Sequence, residues 1–310
     1  MMSLRHYIPD ETSIRFMRMA RIGFPISLVA MVLSMVLFFA VGLNYGIDFL
    51  GGTLIEVQSR APAADLADIR SRLNALDLGE VEVQSFGAPS DVLIRIQAQP
   101  GGDEAQQAVL AEVQQALGSE DYTYRRVEVV GPKVSGELAW TGTVAVLVTL
   151  IGVLFYIWFR FEWQFGLGAI ASLIHDVVLT IGFFAVTQLE FNLSSIAAVL
   201  TIVGYSLNDT VVIYDRVREV LRKYKQMPID TLLDLSINQT LSRTLLTSVT
   251  TLLALLALFF FGGPVLRSFT AAMIWGIFIG TYSSVFIAAP VLIYFRLRSD
   301  SAAKPAAAEA

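Results

Sequence analysis

The sequence predicts a membrane α-helical protein with six transmembrane helices and one small α+β domain outside the membrane. The 310-residue chain is 55% hydrophobic and only 16% charged, and its mean hydropathy is +0.62. Soluble domains of this length do not normally reach such values. Apolar stretches long enough to cross a bilayer, about 20 residues, occur six times. One long hydrophilic insertion interrupts them, between the first stretch and the second.

The six predicted spans cover 22–43, 138–158, 165–187, 193–213, 244–261 and 269–295. The first span has too long an apolar core, and too extended a basic leader, for a cleaved signal peptide. We therefore expect it to be a retained anchor.

Lysine and arginine residues cluster on one side of these spans. The clusters precede the first span (Arg5, Arg15, Arg18, Arg21), separate the fourth from the fifth (Arg216, Arg218, Arg222, Lys223, Lys225) and follow the sixth (Arg296, Arg298, Lys304). The positive-inside rule makes that side cytoplasmic, with Arg160 in agreement and Arg267 as the exception. We expect both terminal segments, 1–21 and 296–310, to be cytoplasmic and the alanine-rich tail to be disordered.

The hydrophilic insertion, 44–137, is expected to be a periplasmic domain with a pattern of its own. Strand-like alternation covers 53–59, 80–86, 92–97 and 122–130, and helical spacing covers 64–76 and 104–117. The order βαββαβ predicts a ferredoxin-like sandwich. Pro62 should open its first helix and Gly118 should end its second.

A further amphipathic segment near 228–241 follows Pro228 in the loop between the fourth and fifth spans. Its leucine and isoleucine residues recur at helical spacing. We expect a short helix that lies on the cytoplasmic face of the membrane.

The main functional candidate is Asp209, in the polar run 204–210 of the fourth span. A carboxylate at membrane depth costs about 2.5 to 3.5 kcal/mol on insertion scales, so it usually marks an ion, proton or substrate path. Helical spacing places Tyr205 on the same face, with Asn208 on the adjoining stripe. The alternative is a carboxylate that reaches water from the cytoplasmic helix end, as we expect of Asp215 and Glu219.

A second polar pair, His175 and Asp176, lies about ten residues inside the third span, near the bilayer midplane. Two interpretations stay open. Asp176 could belong to a proton relay, or it could accept a structural hydrogen bond from a serine or threonine on a neighbouring helix.

Arg243 stands near the start of the fifth span, on a face that continues with Thr247 and Thr250. A positive group that approaches and leaves a buried carboxylate would give a two-state proton switch. The alternative is that Arg243 anchors the helix end by the positive-inside rule.

The sequence argues against other classes of function. The absence of cysteine excludes disulfides, thiolate metal sites and cysteine nucleophiles. No metal-ligand spacing and no nucleophile with a base appears, and the glycine pairs 51–52 and 262–263 lack the lysine of a phosphate loop. We expect no enzyme activity, no cofactor, no metal and no nucleic-acid partner.

Five motifs in order resemble the SecD/SecF family of the bacterial Sec protein translocase over nearly the whole chain. They are 46–52 (GIDFLGG), 175–176 (HD), 204–210 with its continuation to 219, 240–244 (TLSRT) and 261–264 (FGGP). The small external domain and the Tyr-Ser-Leu-Asn-Asp order in the fourth span are more similar to SecF than to SecD.

The resemblance implies half of a pseudo-twofold bundle related to resistance-nodulation-division transporters, placed in the bacterial cytoplasmic (inner) membrane. The implied partners are SecD, the SecYEG translocon with YajC, an unfolded preprotein and the lipid bilayer. The implied role is to use the proton motive force to promote export. The implied residues are Asp209, Arg243 and Asp176 for proton coupling, His175, Asn208 and Tyr205 in support, and the motif residues Gly46, Asp48, Gly51 and Gly52.

Two other functions stay open at this stage. One is a small-molecule proton antiporter built on the same scaffold, although an external domain of this size leaves little room for a ligand pocket. The other is a purely structural scaffold of the translocon.

Overall fold

The computed structural model describes residues 12–118, 120–263 and 266–295. Its helices are α1 (Phe16–Ala40), α2 (Ile47–Leu50), α3 (Leu66–Asn74), α4 (Asp103–Leu117), α5 (Pro132–Arg160), α6 (Trp163–Thr187), α7 (Leu193–Lys223), α8 (Ile229–Phe261), α9 (Arg267–Ser283) and α10 (Ala289–Tyr294). Its strands are β1 (Gly52–Ser59), β2 (Val81–Phe86), β3 (Ala88–Ile96) and β4 (Tyr122–Val130). The predicted membrane α-helical class is confirmed, because six helical segments of the described chain are long and apolar enough to cross a membrane.

The described chain forms two compact units. One unit holds residues 44–146 together with 190–196, and the other holds the remaining helical residues. The α+β domain belongs to the first unit and the candidate proton-coupling residues belong to the second.

The helices extend beyond the apolar spans that hydropathy finds. The first begins at Phe16, the second at Pro132, inside the segment assigned to the external domain, and the fourth continues to Lys223. Hydropathy marks only the apolar core of a helix, whereas arginine, lysine and glutamate are good helix formers and extend it into polar surroundings.

The expectation of a separate surface helix near 228–241 is wrong. These residues are the first part of α8, which continues without a break into the fifth span. Leu232, Leu233 and Ile237 are at most 1% exposed and lie in the core of the helical bundle. No glycine or proline interrupts α8, and its threonine hydroxyls bond to carbonyls of their own helix, as Thr240 does to Ser236 at 3.2 Å, so nothing ends the helix there.

The sixth span is helical but irregular. A π-helical turn, Ser284–Ala288, joins α9 to α10, and Pro290 follows it in the first turn of α10. Proline has no backbone N–H to donate to the preceding turn, which makes a local change of helical winding easy to accommodate. Such π turns often occur at functional sites, and this one carries a serine of the candidate site.

The α+β domain has the predicted βαββαβ order, and its four strands form one antiparallel sheet in the order β2-β3-β1-β4. This is the ferredoxin-like arrangement. Gly118 ends α4 with a φ of 78°, as expected. Pro62 does not open α3, because Asp65 caps that helix and accepts the N–H groups of Ala67 and Asp68.

Glycine residues allow close contacts between helices of the bundle. A Cβ atom on Gly182 would lie 2.1 Å from the Ser34 hydroxyl of α1, and one on Gly276 would lie 2.2 Å from Ile202 of α7. Small residues allow membrane helices to pack backbone to backbone. Consequently α6 sits against α1, and α9 sits against α7.

Some sequence-based expectations fall outside the described residues. They concern Arg5, Arg296, Arg298 and Lys304 in the basic clusters, Pro264 in the fifth motif, and the disorder of the tail 299–310.

Candidate functional site

Asp176 lies at a junction of three helices, with its side chain fully buried. His175 Nδ1 is 2.9 Å from Asp176 Oδ1. On the other carboxylate oxygen, Oδ2, Asp176 accepts hydrogen bonds from the hydroxyls of Ser206 at 2.5 Å and Ser283 at 2.8 Å. The carboxyl group is thus held by donors from α7 and α9 in addition to its neighbour on α6. A buried network of this kind fixes the relative positions of its helices.

The π turn extends the same network. Ser283 also bonds to the Ser172 hydroxyl at 2.8 Å, and the next residue, Ser284, lies 2.9 Å from the Thr210 hydroxyl. Two consecutive residues of the sixth span therefore contact α7 or α6. The serines that these contacts use were not among the site residues predicted from the sequence.

Asp209 has a different environment. It is 3% exposed, and its Oδ2 atom has no hydrogen-bond partner among the described residues. The groups that act on its carboxyl electrostatically are Arg243 and the Thr281 hydroxyl. A buried carboxyl oxygen without a donor is an unusual and costly feature that calls for an explanation.

A line of hydroxyl groups leads across three helices to Thr281. Tyr205 donates from α7 to Ser248 of α8 at 3.0 Å, and Ser248 lies 3.0 Å from Thr281 of α9. Hydroxyl groups both donate and accept hydrogen bonds. The direction of donation along this chain of hydroxyls can therefore reverse, and such a reversal would reach Thr281, which acts on Asp209.

Arg243 and Asn208 are exposed on the surface of the helical unit. Within the described residues, no ion pair at 4 Å or less joins Arg243 to Asp209. The structure thus unites Asp176 with His175 and places Tyr205 beside the Asp209 site. It leaves Arg243 within electrostatic range of Asp209 but unpaired with it.

Asp215 and Glu219 lie at the exposed end of α7, as expected. Asp215 accepts from Arg160 at 3.0 Å, with both side chains nearly half exposed, and Glu219 pairs with Arg216. These are ordinary solvated ion pairs.

The site residues missed from the sequence are hydroxyls: Ser206, Thr210, Ser248, Thr281, Ser283 and Ser284. Serine and threonine are common in membrane helices and usually bond to their own backbone, so their sequence signal is weak. The adjacent pair Ser283 and Ser284, seven and six residues before Pro290 in an apolar span, was the available clue.

No group of three or more histidine, aspartate or glutamate side chains in the described part of the chain could hold a metal ion. The bundle contains two buried carboxyl groups. Both oxygens of Asp176 have hydrogen-bond partners, whereas Asp209 Oδ2 has none among the described residues. The second can accept a proton without breaking an existing hydrogen bond.

The motif after the first span, with Gly46, Asp48, Gly51 and Gly52, belongs to the other unit. Asp48 Oδ2 accepts the backbone N–H of Leu193 at 2.9 Å. A Cβ atom on Gly46 would lie 2.5 Å from the Glu190 carboxylate, and one on Gly52 would lie 2.3 Å from the Ile96 carbonyl. There is no room for a side chain at either position.

The fold and the site define a class: a multi-pass membrane protein with a ferredoxin-like domain between its first two spans and buried carboxyl groups in its helical bundle. Residues 109–298 match the family described as protein export membrane protein SecD/SecF, C-terminal. Residues 36–63 match the SecD/SecF GG motif. The chain therefore belongs to the SecD/SecF family, which confirms the resemblance found in the sequence.

Similar proteins agree with this assignment. Protein translocase subunit SecF of Rhodobacter capsulatus is 46% identical, with 94% of this chain and 91% of that protein covered. Protein translocase subunit SecF of Rickettsia rickettsii is 44% identical, with 93% and 94% covered. Protein translocase subunit SecDF of Brucella abortus is 49% identical over 94% of this chain, which spans only 38% of that protein.

A solved structure supports the fold. The crystal structure of SecDF, a translocon-associated membrane protein, from Thermus thermophilus is 36% identical, with a TM-score of 0.82 over 93% of this chain and 39% of that chain. The family is described as protein export membrane proteins and the relatives are named translocase subunits, so the predicted function as a subunit of the protein-export machinery is confirmed.

Proposed function

We propose that this chain works with a SecD-type partner and that reversible protonation of Asp209 is the event by which the proton motive force drives preprotein export. The observation that carries the proposal is the buried Asp209 carboxyl with an unpaired Oδ2 atom. Its protonation would remove a buried negative charge on which Arg243 acts electrostatically and so change the balance of forces between α7 and α8.

The exposed residues of α7 are evidence that a second helical bundle packs against this chain. Thr201, Gly204 and Asn208 recur at spacings of three and four and are all exposed, and Arg243 on α8 is exposed as well. Small and polar residues on one face of a membrane helix suit close packing against another helix. Because this chain spans only 38% of the SecDF relative of Brucella abortus, we assign the missing half of the bundle to SecD.

The remaining partners and the location complete the proposal. The chain and SecD act beside the SecYEG translocon and YajC on an unfolded preprotein, in the cytoplasmic (inner) membrane. Both termini are cytoplasmic and the α+β domain is periplasmic, where it can contact the emerging preprotein. The positive-inside pattern supports this orientation.

The test replaces Asp209 by asparagine, which has nearly the same shape but cannot ionise. We expect Asp209→Asn to assemble normally with SecD and to abolish the part of export that depends on an imposed proton gradient. The measurement is translocation of a preprotein into vesicles with and without the gradient, and co-purification with SecD checks assembly.

The matched control is Asp215→Asn, the same substitution on the same helix at a solvated ion pair, and it should leave gradient-dependent export intact. Full gradient-dependent export in an Asp209→Asn, Arg243→Ala double variant would contradict proton coupling and favour a purely structural role.

A further inference from the structure

The segment that follows α1 is hydrogen-bonded to the segment that precedes α7. We call residues 44–49 and 190–195 together the clasp; all of them lie in the unit that contains the α+β domain. Gly46 N–H donates to the Phe191 carbonyl at 2.9 Å, and Phe191 N–H donates to the Asn44 carbonyl at 2.7 Å. The two bonds form a short parallel bridge between Tyr45 and Phe191.

Aromatic rings cover this bridge. Phe49 stacks on Phe191 with 5.8 Å between ring centroids, and Tyr45 forms T-shaped contacts with both rings, at centroid distances of 6.2 and 6.1 Å. Aromatic groups at these distances and angles attract one another beyond simple burial. The clasp is therefore held by side chains as well as by backbone.

Asp48 connects the clasp directly to the membrane helix. Its carboxylate accepts the N–H of Leu193 at 2.9 Å, and Leu193 is the first residue of α7. This N–H has no partner inside the helix, and the helix N-terminus favours a negative charge. The contact joins residues 145 positions apart.

The start of α7 does not depend on Asp48, because the helix has a local cap. Asn192 Oδ1 accepts the Ser195 N–H at 3.1 Å, and the Ser195 hydroxyl accepts the Asn192 N–H at 3.2 Å. This reciprocal pattern is a capping box. The Asp48 contact is thus additional to helix formation, and what it adds is a tie between two distant parts of the chain.

The other side of α2 is fixed to the sheet. Ile47 is 2% exposed and packs with Leu54 of β1 and Leu93 of β3. Two adjacent residues of the family motif therefore point in two directions: Ile47 holds the sheet and Asp48 holds α7. Because neither Gly46 nor Gly52 has space for a side chain, the chain lies close to Glu190 at Gly46 and close to β3 at Gly52.

We propose that the clasp is the coupling element between α7 and the α+β domain, and that Asp48 is its positioning residue. The inference rests on the proposed function, since α7 is also the helix that carries Asp209, sixteen residues after Leu193. A continuous helix transmits displacement over this distance, about 24 Å. A shift of α7 then reaches β1 through Asp48, Ile47 and the glycine pair.

The first test separates coupling from proton chemistry. Asp48→Ala in the complex with SecD should keep gradient-driven proton uptake into proteoliposomes but lose the gradient-dependent part of preprotein export. The matched control is Asp65→Ala, which removes an aspartate cap from α3 in the same unit and should leave both quantities unchanged.

Each outcome of this test decides the matter. Export unchanged in Asp48→Ala overturns the inference, and so does parallel loss of proton uptake and export, because Asp48 would then be a general structural residue. The proposed function is judged separately: if Asp209→Asn in the same assay retains both proton uptake and export, that proposal fails whatever Asp48 does.

The second test asks whether a covalent tie can replace Asp48. The chain has no cysteine, and paired residues across a β-bridge lie within disulfide reach, so Tyr45→Cys and Phe191→Cys can be combined with Asp48→Ala. Export should be restored when the disulfide is oxidised and lost again on reduction. Since the oxidised and reduced forms share one sequence, no restoration on verified disulfide formation would overturn the inference.

Discussion

Asp176 and Asp209 are both buried carboxyl groups, yet their surroundings suit them to different tasks. Asp176 accepts from Ser206 and Ser283 and lies against His175, so protonation or removal of its carboxylate would disturb three helices. Asp209 has an oxygen free of partners. The geometry therefore favours Asp209 as the group that changes state and Asp176 as the group that holds α6, α7 and α9 in register.

The structural role of Asp176 gives a stability prediction. Replacing Ser206 and Ser283 by alanine leaves Asp176 Oδ2 buried without a donor, which should lower the free energy of unfolding by about 1 to 3 kcal/mol per lost donor. Thermal unfolding of the purified chain in detergent measures the effect. The control is Thr187→Ala, which loses an exposed hydroxyl bonded to its own helix; an equal shift in the control and the serine variants would contradict the prediction.

Glu190, between the spans α6 and α7, should make stability depend on pH. Burial raises the pKa of Glu190, against the opposing effect of Arg95 and Arg126 and with some support from Asp48 and Glu128. A raised pKa means that the folded state binds this proton more tightly than the unfolded state. The contribution of Glu190 to stability should therefore be fully present below the ordinary glutamate pKa, about 4.3, and be lost as pH rises through the raised value.

The check is the unfolding temperature measured across this pH range. Glu190→Gln should reduce the loss of stability as pH rises, because glutamine does not titrate. Glu82→Gln is the matched control, since Glu82 contacts the same Arg95 but is 55% exposed. A pH profile identical to that of the unchanged chain in Glu190→Gln would contradict the prediction.

At the residue scale, the sequence identifies the buried carboxylates and misses the hydroxyl groups that bind them. Asp176 and Asp209 are conspicuous because carboxylates are rare in apolar spans. Their hydroxyl partners are not, and the pairing of Asp176 with serines on two other helices depends on helix packing that spacing alone does not determine.

At the scale of elements, α8 shows where hydropathy stops being informative. The polar residues near 240–244 look like a boundary between a surface helix and a span, yet the helix continues through them. Its first part also supports α1: Asp234 Oδ1 accepts the N–H of Met17 at 2.8 Å, and Asn238 bonds to Ile14 through both backbone groups. Contacts between residues more than 200 positions apart are invisible to a local pattern.

The continuity of α8 predicts the result of a proline substitution. Ser242→Pro falls at the apparent boundary and should lower the free energy of unfolding by about 3 kcal/mol or more, because proline removes a helical hydrogen bond and clashes with the preceding turn. Ser242→Ala controls for loss of the hydroxyl. Equal thermal stability of the two variants would mean that the helix is interrupted there, as the sequence first indicated.

The elements of the α+β domain were easier to predict, and for a physical reason. Its strands alternate with period two and its helices have amphipathic spacing, so each element shows its type locally. The predicted start of α3 was wrong, because Asp65 and not Pro62 precedes the first turn and accepts hydrogen bonds from its backbone N–H groups. The clasp between 44–49 and 190–195 was not predicted, since the α+β domain and the spans α5 and α6 separate its two halves in the sequence.

At the scale of the whole molecule, composition and span count indicate the class of the protein, and charge placement predicts its orientation. The count of six spans is confirmed by the helices, whereas the orientation depends on basic residues such as Arg216, Arg218 and Arg222 and stays a prediction. The orientation matters to the proposed mechanism, because it determines from which side of the membrane a proton would reach Asp209.

The absence of cysteine makes the orientation directly measurable. A single cysteine at Ala61, exposed in the α+β domain, and another at Gln226, exposed between α7 and α8, report on sides that are predicted to be opposite. A membrane-impermeant maleimide should label Ala61→Cys in intact spheroplasts and should label Gln226→Cys only after permeabilisation. The unchanged chain gives the background, and full labelling of both variants after permeabilisation controls for reactivity. The reverse pattern would move the α+β domain to the cytoplasm, where it could not contact a preprotein that emerges on the far side of the membrane.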